Sequence, residues 1–258
     1  MFSECLFSSF CFLRRNAITI LSILSPVIAI QIIFTIFVFP LDVLTLEPSA
    51  DKKDAVSSGY ILYHAFISLI QYISMALLFS CFKLINSGKQ FSLSHVARKT
   101  LSILPNFFLL FYLIGIISFC LFLFSFTLID FIFKLMGVDI SFIYSNALIF
   151  IPSFFNCLLL PIMFYVILQK ITFTDAYSKV LHLLKQHAVS CVALATFIAS
   201  CFTLAFNGLA YCKENMEVTN YALCNIAVTE FVNMLRLLLI YRMYLLLQEK
   251  EDNKARLD

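Results

Sequence analysis

Five stretches of this chain contain no Asp, Glu, Lys or Arg: residues 16–41, 55–82, 100–129, 140–169 and 186–212. A sixth, 218–247, is interrupted only by Glu230, Arg236 and Arg242. A helix crosses a bilayer with about 20 apolar residues, since each adds ~1.5 Å across a hydrocarbon core of ~30 Å. Every run exceeds that length. Composition closes the alternatives. The 258 residues are 62% hydrophobic and 13% charged, against about 25% charged in an average soluble domain. Eighteen basic and fifteen acidic side chains cannot cover the outside of a soluble fold of this size. A soluble enzyme, a nucleic-acid binder and a disordered chain are excluded.

The spacing predicts six spans, at about 18–39, 60–84, 103–129, 141–168, 188–211 and 221–247. The first reads as an anchor. Its apolar run exceeds the core of a cleaved signal, and Arg14 and Arg15 precede it. Orientation follows from Lys and Arg. Thirteen fall on one side: Arg14 and Arg15, Lys83 to Lys99, Lys170 to Lys185, and Arg242 to Arg256. Four fall on the other: Lys52, Lys53, Lys134 and Lys213. The basic side is expected to be cytoplasmic, with both termini in it. The expected fold is therefore an all-α integral membrane protein. It has six transmembrane helices and short amphipathic interfacial helices, in a single membrane domain over 1–258. The charged 42–58 stretch reads as an exterior loop and the 249–258 tail as frayed. Pro152 and Pro161 fall inside the fourth span, where each removes a helix hydrogen bond. A break or bend is expected there.

A weak internal repeat precedes the inward-to-outward spans: Leu13-Arg14-Arg15-Asn16-Ala17, Ala97-Arg98-Lys99-Thr100-Leu101 and Leu184-Lys185-Gln186-His187-Ala188. The clearest amphipathic stretch is 174–187. Tyr177, Val180, Leu181 and Leu184 recur at helical spacing, with Lys179, His182 and Lys185 elsewhere on the wheel. Thr172 with Asp175 resembles a capping box at its start. Two readings stand. In one, Lys179, Lys185, Arg98, Lys99, Arg14 and Arg15 contact anionic lipid headgroups. In the other, they are topogenic charges and nothing more.

Catalytic motifs are absent. Five glycines leave no phosphate-binding loop, no Cys-x-x-Cys or His-x-x-x-His offers a metal site, and the four His are scattered. No cofactor is expected. Polar residues at membrane depth remain, and these tend to face a bundle interior. They are Gln31, His64, Gln71, Asn207, Glu230, Asn233 and Arg236. Glu230, Asn233 and Arg236 form a stripe at i+3 steps. Counted from the outer end of each span, His64 and Asn207 lie four residues in, Gln31 eight, Glu230 nine and Gln71 eleven, so that they could converge on a polar cavity in the outer half. Glu230 is either a proton-linked or substrate-binding carboxylate or one half of a structural hydrogen bond. Nine cysteines lie mostly inside apolar runs, as small hydrophobes do. Cys212 and Cys224 flank one short exterior loop, and a bridge there is left open.

The order of segments resembles the YciC family of bacterial inner-membrane proteins over nearly the full length. The clearest parts are Phe12-Leu13-Arg14-Arg15-Asn16, Ile103-Leu104-Pro105, Leu160-Pro161-Ile162-Met163 and Leu239-Ile240-Tyr241-Arg242-Met243-Tyr244. The family tends to show Pro-Gly where this chain has Pro152-Ser153. The resemblance implies a location and a fold, and it brings no catalytic residue. The expected function is a non-enzymatic envelope, lipid-related or scaffold role. The alternative is a small-molecule or lipid transporter with a buried polar site around Glu230. The lipid bilayer, with its anionic phospholipids, is the expected partner; no protein partner can be read from the sequence.

Overall fold

The computed structural model describes residues 1–38, 53–88, 92–135 and 141–254. Among these residues the chain is helical and no strand occurs. Helix α1 spans Phe2–Ile33 and runs into a π-helical turn at Phe34–Val38. Then follow α2 (Lys53–Asn86), α3 (Leu93–Leu135), α4 (Ser141–Gln169), α5 (Phe173–Asn215) and α6 (Val218–Lys254). Each of the six contains a window long and apolar enough to cross a membrane. Five of the expected spans lie wholly on these helices; the first runs along α1 and its π-helical turn to Val38, and its last residue lies outside the described residues. Residues 53–58, expected in a loop, form the first turns of α2, and the rest of that loop lies outside the described residues. The tail expected to fray continues α6 to Lys254. Its Glu and Lys residues are good helix formers, so nothing ends the helix at the span.

Of the break or bend expected at Pro152 and Pro161, the break does not occur. Helix α4 runs unbroken through both. A proline deletes one backbone donor, and the remaining hydrogen bonds of a 29-residue helix hold the chain on either side. Helix α5 behaves differently and has no internal proline. His187 leaves helical geometry (φ −126°, ψ 30°), and a kink there separates 173–186 from 188–215.

Contacts group the chain into two compact units. The first comprises Met1–Arg14, Pro105–Leu204 and Leu238–Asp258. Its core is an aromatic seam. Phe164 of α4 meets Tyr241 and Tyr244 of α6 edge-on, with ring centroids 5.8 and 5.9 Å apart, and Tyr165 meets Tyr244 at 4.9 Å. Such T-shaped pairs place a ring's positive edge against its neighbour's negative face. In α3 the buried residues Phe107, Leu110, Phe111, Ile114, Ser118 and Phe122 form a single helical stripe. Beside that stripe the same stretch of α3 exposes large apolar side chains, including Leu109, Tyr112, Phe119 and Phe124. In water each exposed side chain of this size would forgo roughly 1.5–3 kcal/mol of burial. In hydrocarbon the penalty disappears.

The second unit comprises Arg15–Leu104 and Ala205–Leu237. Its most enclosed segment is 74–82 of α2, where every residue but Leu77 is buried. Ile20, Ile23, Leu24 and Val27 of α1 form one buried face, and Val96 and Thr100 of α3 another. Ala222, Ile226, Val232, Met234 and Leu237 of α6 complete the core.

The α3 stripe yields a paired prediction. Phe107 is 0% exposed and Leu109 66%. Phe107→Ala leaves a cavity and should destabilise the detergent-solubilised protein by about 3–5 kcal/mol. Leu109→Ala should stay within about 0.5 kcal/mol. Thermal unfolding followed by circular dichroism checks both, and equal losses would contradict the assigned faces.

Candidate functional site: a buried carboxyl held by three helices

Helix α6 carries Glu230, Asn233 and Arg236 on one stripe, and all three are buried, at 2%, 6% and 8% exposure. Gln31 of α1 is 1% exposed, and its Nε2 donates to Glu230 Oε1 at 2.6 Å. Ser74 of α2 is 0% exposed, and its hydroxyl donates to Glu230 Oε2 at 2.6 Å. Three helices of the second unit thus converge on one carboxyl, and each of its oxygens receives a neutral donor.

Arg236 lies six residues further along α6, ~9 Å by helical rise. Its Nη2 donates to Met75 Sδ at 3.5 Å. Ser74 and Met75 are neighbours on α2. The carboxyl and the guanidinium of α6 therefore meet consecutive residues of one facing helix, which fixes the register of α6 against α2 at two points.

The structure brings Gln31 and Glu230 together and buries Asn233 and Arg236 beside them on α6. Gln71 is half-buried on α2, one turn before Ser74. Asn207 is exposed on α5, where an inward-facing position was expected. It sits one turn from Tyr211, near the end of its span, where a polar side chain reaches the interfacial region and need not turn inward. The side chain of His64 lies outside the described residues. Ser74 was missed by sequence reasoning. Its only signal was a small hydroxyl one turn beyond Gln71 in an apolar run.

Chemically, the arrangement can hold a proton or lock three helices by hydrogen bonds. Its two partners are an amide, Gln31, and a hydroxyl, Ser74. Among the described residues no group of three His, Cys, Asp or Glu stands close enough to hold a metal ion.

A second polar cluster lies in the first unit, at the turn from α4 to α5. Lys170 ends α4 in the left-handed region (φ 55°), the usual place of a helix-ending glycine. Thr172 then caps α5. The Asp175 amide donates to Thr172 Oγ1 at 3.2 Å, and that hydroxyl donates to Asp175 Oδ2 at 2.6 Å. The expected cap is present, although the Asp175 carboxylate takes the hydroxyl proton where a capping box would take a backbone amide. About one turn beyond Asp175, Lys179 Nζ donates to Gln169 Oε1 at 3.0 Å and lies 5.6 Å from the centre of the Tyr165 ring. Gln169 Nε2 in turn donates to the Tyr244 hydroxyl at 3.2 Å. Lys179 thus fastens the start of α5 to α4, and through Gln169 to α6.

Around the axis of 173–186, residues advance ~100° each. Ala176, Val180 and Leu183 share one sector and are buried. Tyr177 and Leu181 fall in the next sector and are exposed. Asp175, Ser178, Lys179, His182, Lys185 and Gln186 occupy the remaining arc, also exposed. The apolar group Tyr177, Val180, Leu181 and Leu184 is therefore divided. Val180 packs inward with Ala176 and Leu183, while Tyr177 and Leu181 face out. Of the other basic candidates, Arg14, Arg15 and Arg98 are exposed and Lys99 is half-buried.

Together these features define an all-helical chain with six helices fit to cross a membrane, a buried carboxyl knot and a separate amphipathic helix. No family model, curated protein or solved structure matches it.

The knot predicts a graded response. Ser74→Ala leaves one carboxyl oxygen without its donor. Interhelical hydrogen bonds in membranes average about 0.6 kcal/mol and reach about 1.7, so a loss of about 1 kcal/mol is expected. Glu230→Ala, which strands both Gln31 and Ser74, should cost more than Ser74→Ala. Thermal midpoints in a single detergent rank the variants, and an unchanged midpoint for Glu230→Ala would remove the knot's structural role.

Proposed function

We propose that this is a multi-pass protein of a bacterial inner membrane, with both termini cytoplasmic and a non-enzymatic, lipid-related role in the envelope. The observation that carries this reading is the three-sector helix 173–186. One sector packs on protein, one offers Tyr177 and Leu181 to an apolar medium, and one offers Lys179, His182 and Lys185 to a polar one. A helix with those three neighbours belongs at the boundary between headgroups and acyl chains. The kink at His187 lets it leave the line of the following span. The thirteen-to-four distribution of basic residues supports placing that boundary on the cytoplasmic side. The resemblance to the YciC family points to the same membrane. In this reading Lys185, with Arg98, Lys99, Arg14 and Arg15, engages anionic phospholipid headgroups, and Lys179 divides its donors between Gln169 and lipid.

Each basic residue near an anionic surface contributes about 1 kcal/mol, a factor of roughly five in lipid retention. Native mass spectrometry of the purified protein should show preferential retention of anionic over zwitterionic phospholipid. Lys185→Gln with Arg98→Gln should reduce that preference by more than tenfold. Equal retention of both lipid classes by the unaltered protein would overturn the headgroup role.

A transport site around Glu230 is the second reading, favoured by the buried carboxyl itself. The unbroken α4 removes the discontinuous helix that such a site commonly uses. Glu230→Gln separates the readings. It keeps the shape and removes the ionisable group, so the cellular role should survive it unless a proton is carried there.

A further inference from the structure

Helices α5 and α6 are joined by only two residues, Met216 and Glu217. The Met216 amide still donates to the Cys212 carbonyl at 2.9 Å, and the Tyr221 amide to the Glu217 carbonyl at 2.9 Å. The corner is therefore tight, with helical hydrogen bonding running up to it from both sides. Cys212 lies one turn before the corner and Cys224 within two turns after it. The two thiols lie near enough to each other to interact electrostatically. Both are half-buried free thiols. Cys5, Cys81, Cys157 and Cys191, in contrast, are buried in their units, as small hydrophobes are.

We propose that Cys212 and Cys224 are a redox pair that closes to an intramolecular disulfide on the extracytoplasmic face, oxidised by a disulfide-bearing thiol oxidoreductase. The inference rests on the orientation proposed above, which puts the α5–α6 corner in an oxidising compartment. The chemistry balances. One thiol of the pair, as thiolate, attacks the disulfide of the oxidoreductase, forms a mixed disulfide and releases one of its sulfurs as thiolate. The second cysteine, as thiolate, attacks its partner's sulfur, forms the Cys212–Cys224 bond and releases the other. Two protons and two electrons leave the pair, and the oxidoreductase departs as a dithiol. The position gives the bridge a consequence. Cys224 is six residues, ~9 Å, before Glu230 on α6. A bond there ties α5 to α6 and limits sliding of the helix that carries the carboxyl knot.

Peptide mapping tests the pair. Trypsin cuts after Lys213, so the two cysteines end on different peptides, 186–213 and 214–236. Membranes are blocked with iodoacetamide without reductant, and the full-length protein is purified and digested. The expected result is a linked species joining these peptides, lost on reduction and lost in Cys212→Ser, although Cys191 and Cys201 share its first peptide. Serine is close to cysteine in size and the position is half-buried, so the variant folds. In a second arm the protein, purified without blocking, is exposed to oxidised glutathione. A pair found free in native membranes but linked in this arm would overturn the cellular bridge and count against the orientation, while leaving the geometry standing. A pair free in both arms would overturn the thiol pair itself and leave the orientation untouched.

Discussion

Hydrocarbon offers no hydrogen bonds. Every polar atom that enters it must find a partner within the protein, and that constraint orders the whole structure. The backbone answers by forming helices throughout the described residues. Several side-chain hydroxyls answer locally, whereas Thr35, Ser80 and Ser118 are buried without a partner among the described residues. Ser22, Ser25, Thr100, Thr127 and Thr203 each donate to a carbonyl three or four residues earlier on their own helix. The five glycines of the chain form no GxxxG pair. Aromatic rings fill the seam instead, as Phe164, Tyr165, Tyr241 and Tyr244 do. Gln31, Ser74 and Glu230 solve the same problem across helices, because a carboxyl cannot be satisfied from its own backbone.

The spans were legible because charge is excluded from hydrocarbon over whole stretches, and each stretch outlasts any local exception. The contact between Gln31 and Glu230 was partly legible too. Residue counting placed them at nearly equal depth, and they meet. The contribution of α2 was not legible at the level of residues. Gln71 is the more polar candidate, but Ser74, one turn deeper, makes the bond. Tilt shifts a helix by a turn relative to its neighbours, and counting from a span's end cannot register it. A serine also carries almost no signal, since it is cheap enough in hydrocarbon to occur anywhere.

The helix 173–186 shows a different limit. A hydrophobicity pattern sorts residues into two classes, and so draws helices with two faces. This helix has three environments: packed protein, an apolar medium and a polar one. Leu181 and Leu183 are chemically alike and fall in different sectors. Only the position of α4 and the rest of the unit decides which leucine packs inward. Thr172 was legible for the opposite reason. A cap depends on residues three apart in sequence, and no distant element is needed to make it.

The knot at Glu230 is not explained by stability. An ionisable side chain at the centre of a spanning helix raises the insertion free energy by about 2.5–3.5 kcal/mol. Two interhelical hydrogen bonds offset about 0.6–1.7 kcal/mol each. The sum is near zero or unfavourable, and an apolar residue of similar volume would serve the fold as well. An amide at the same place would also satisfy Ser74 or Gln31 without bringing a charge into the membrane. What an amide cannot do is exchange a proton. The hydrogen bonds therefore account for how α1, α2 and α6 are held in register, while the acidity of Glu230 is the property that the helix packing leaves unused.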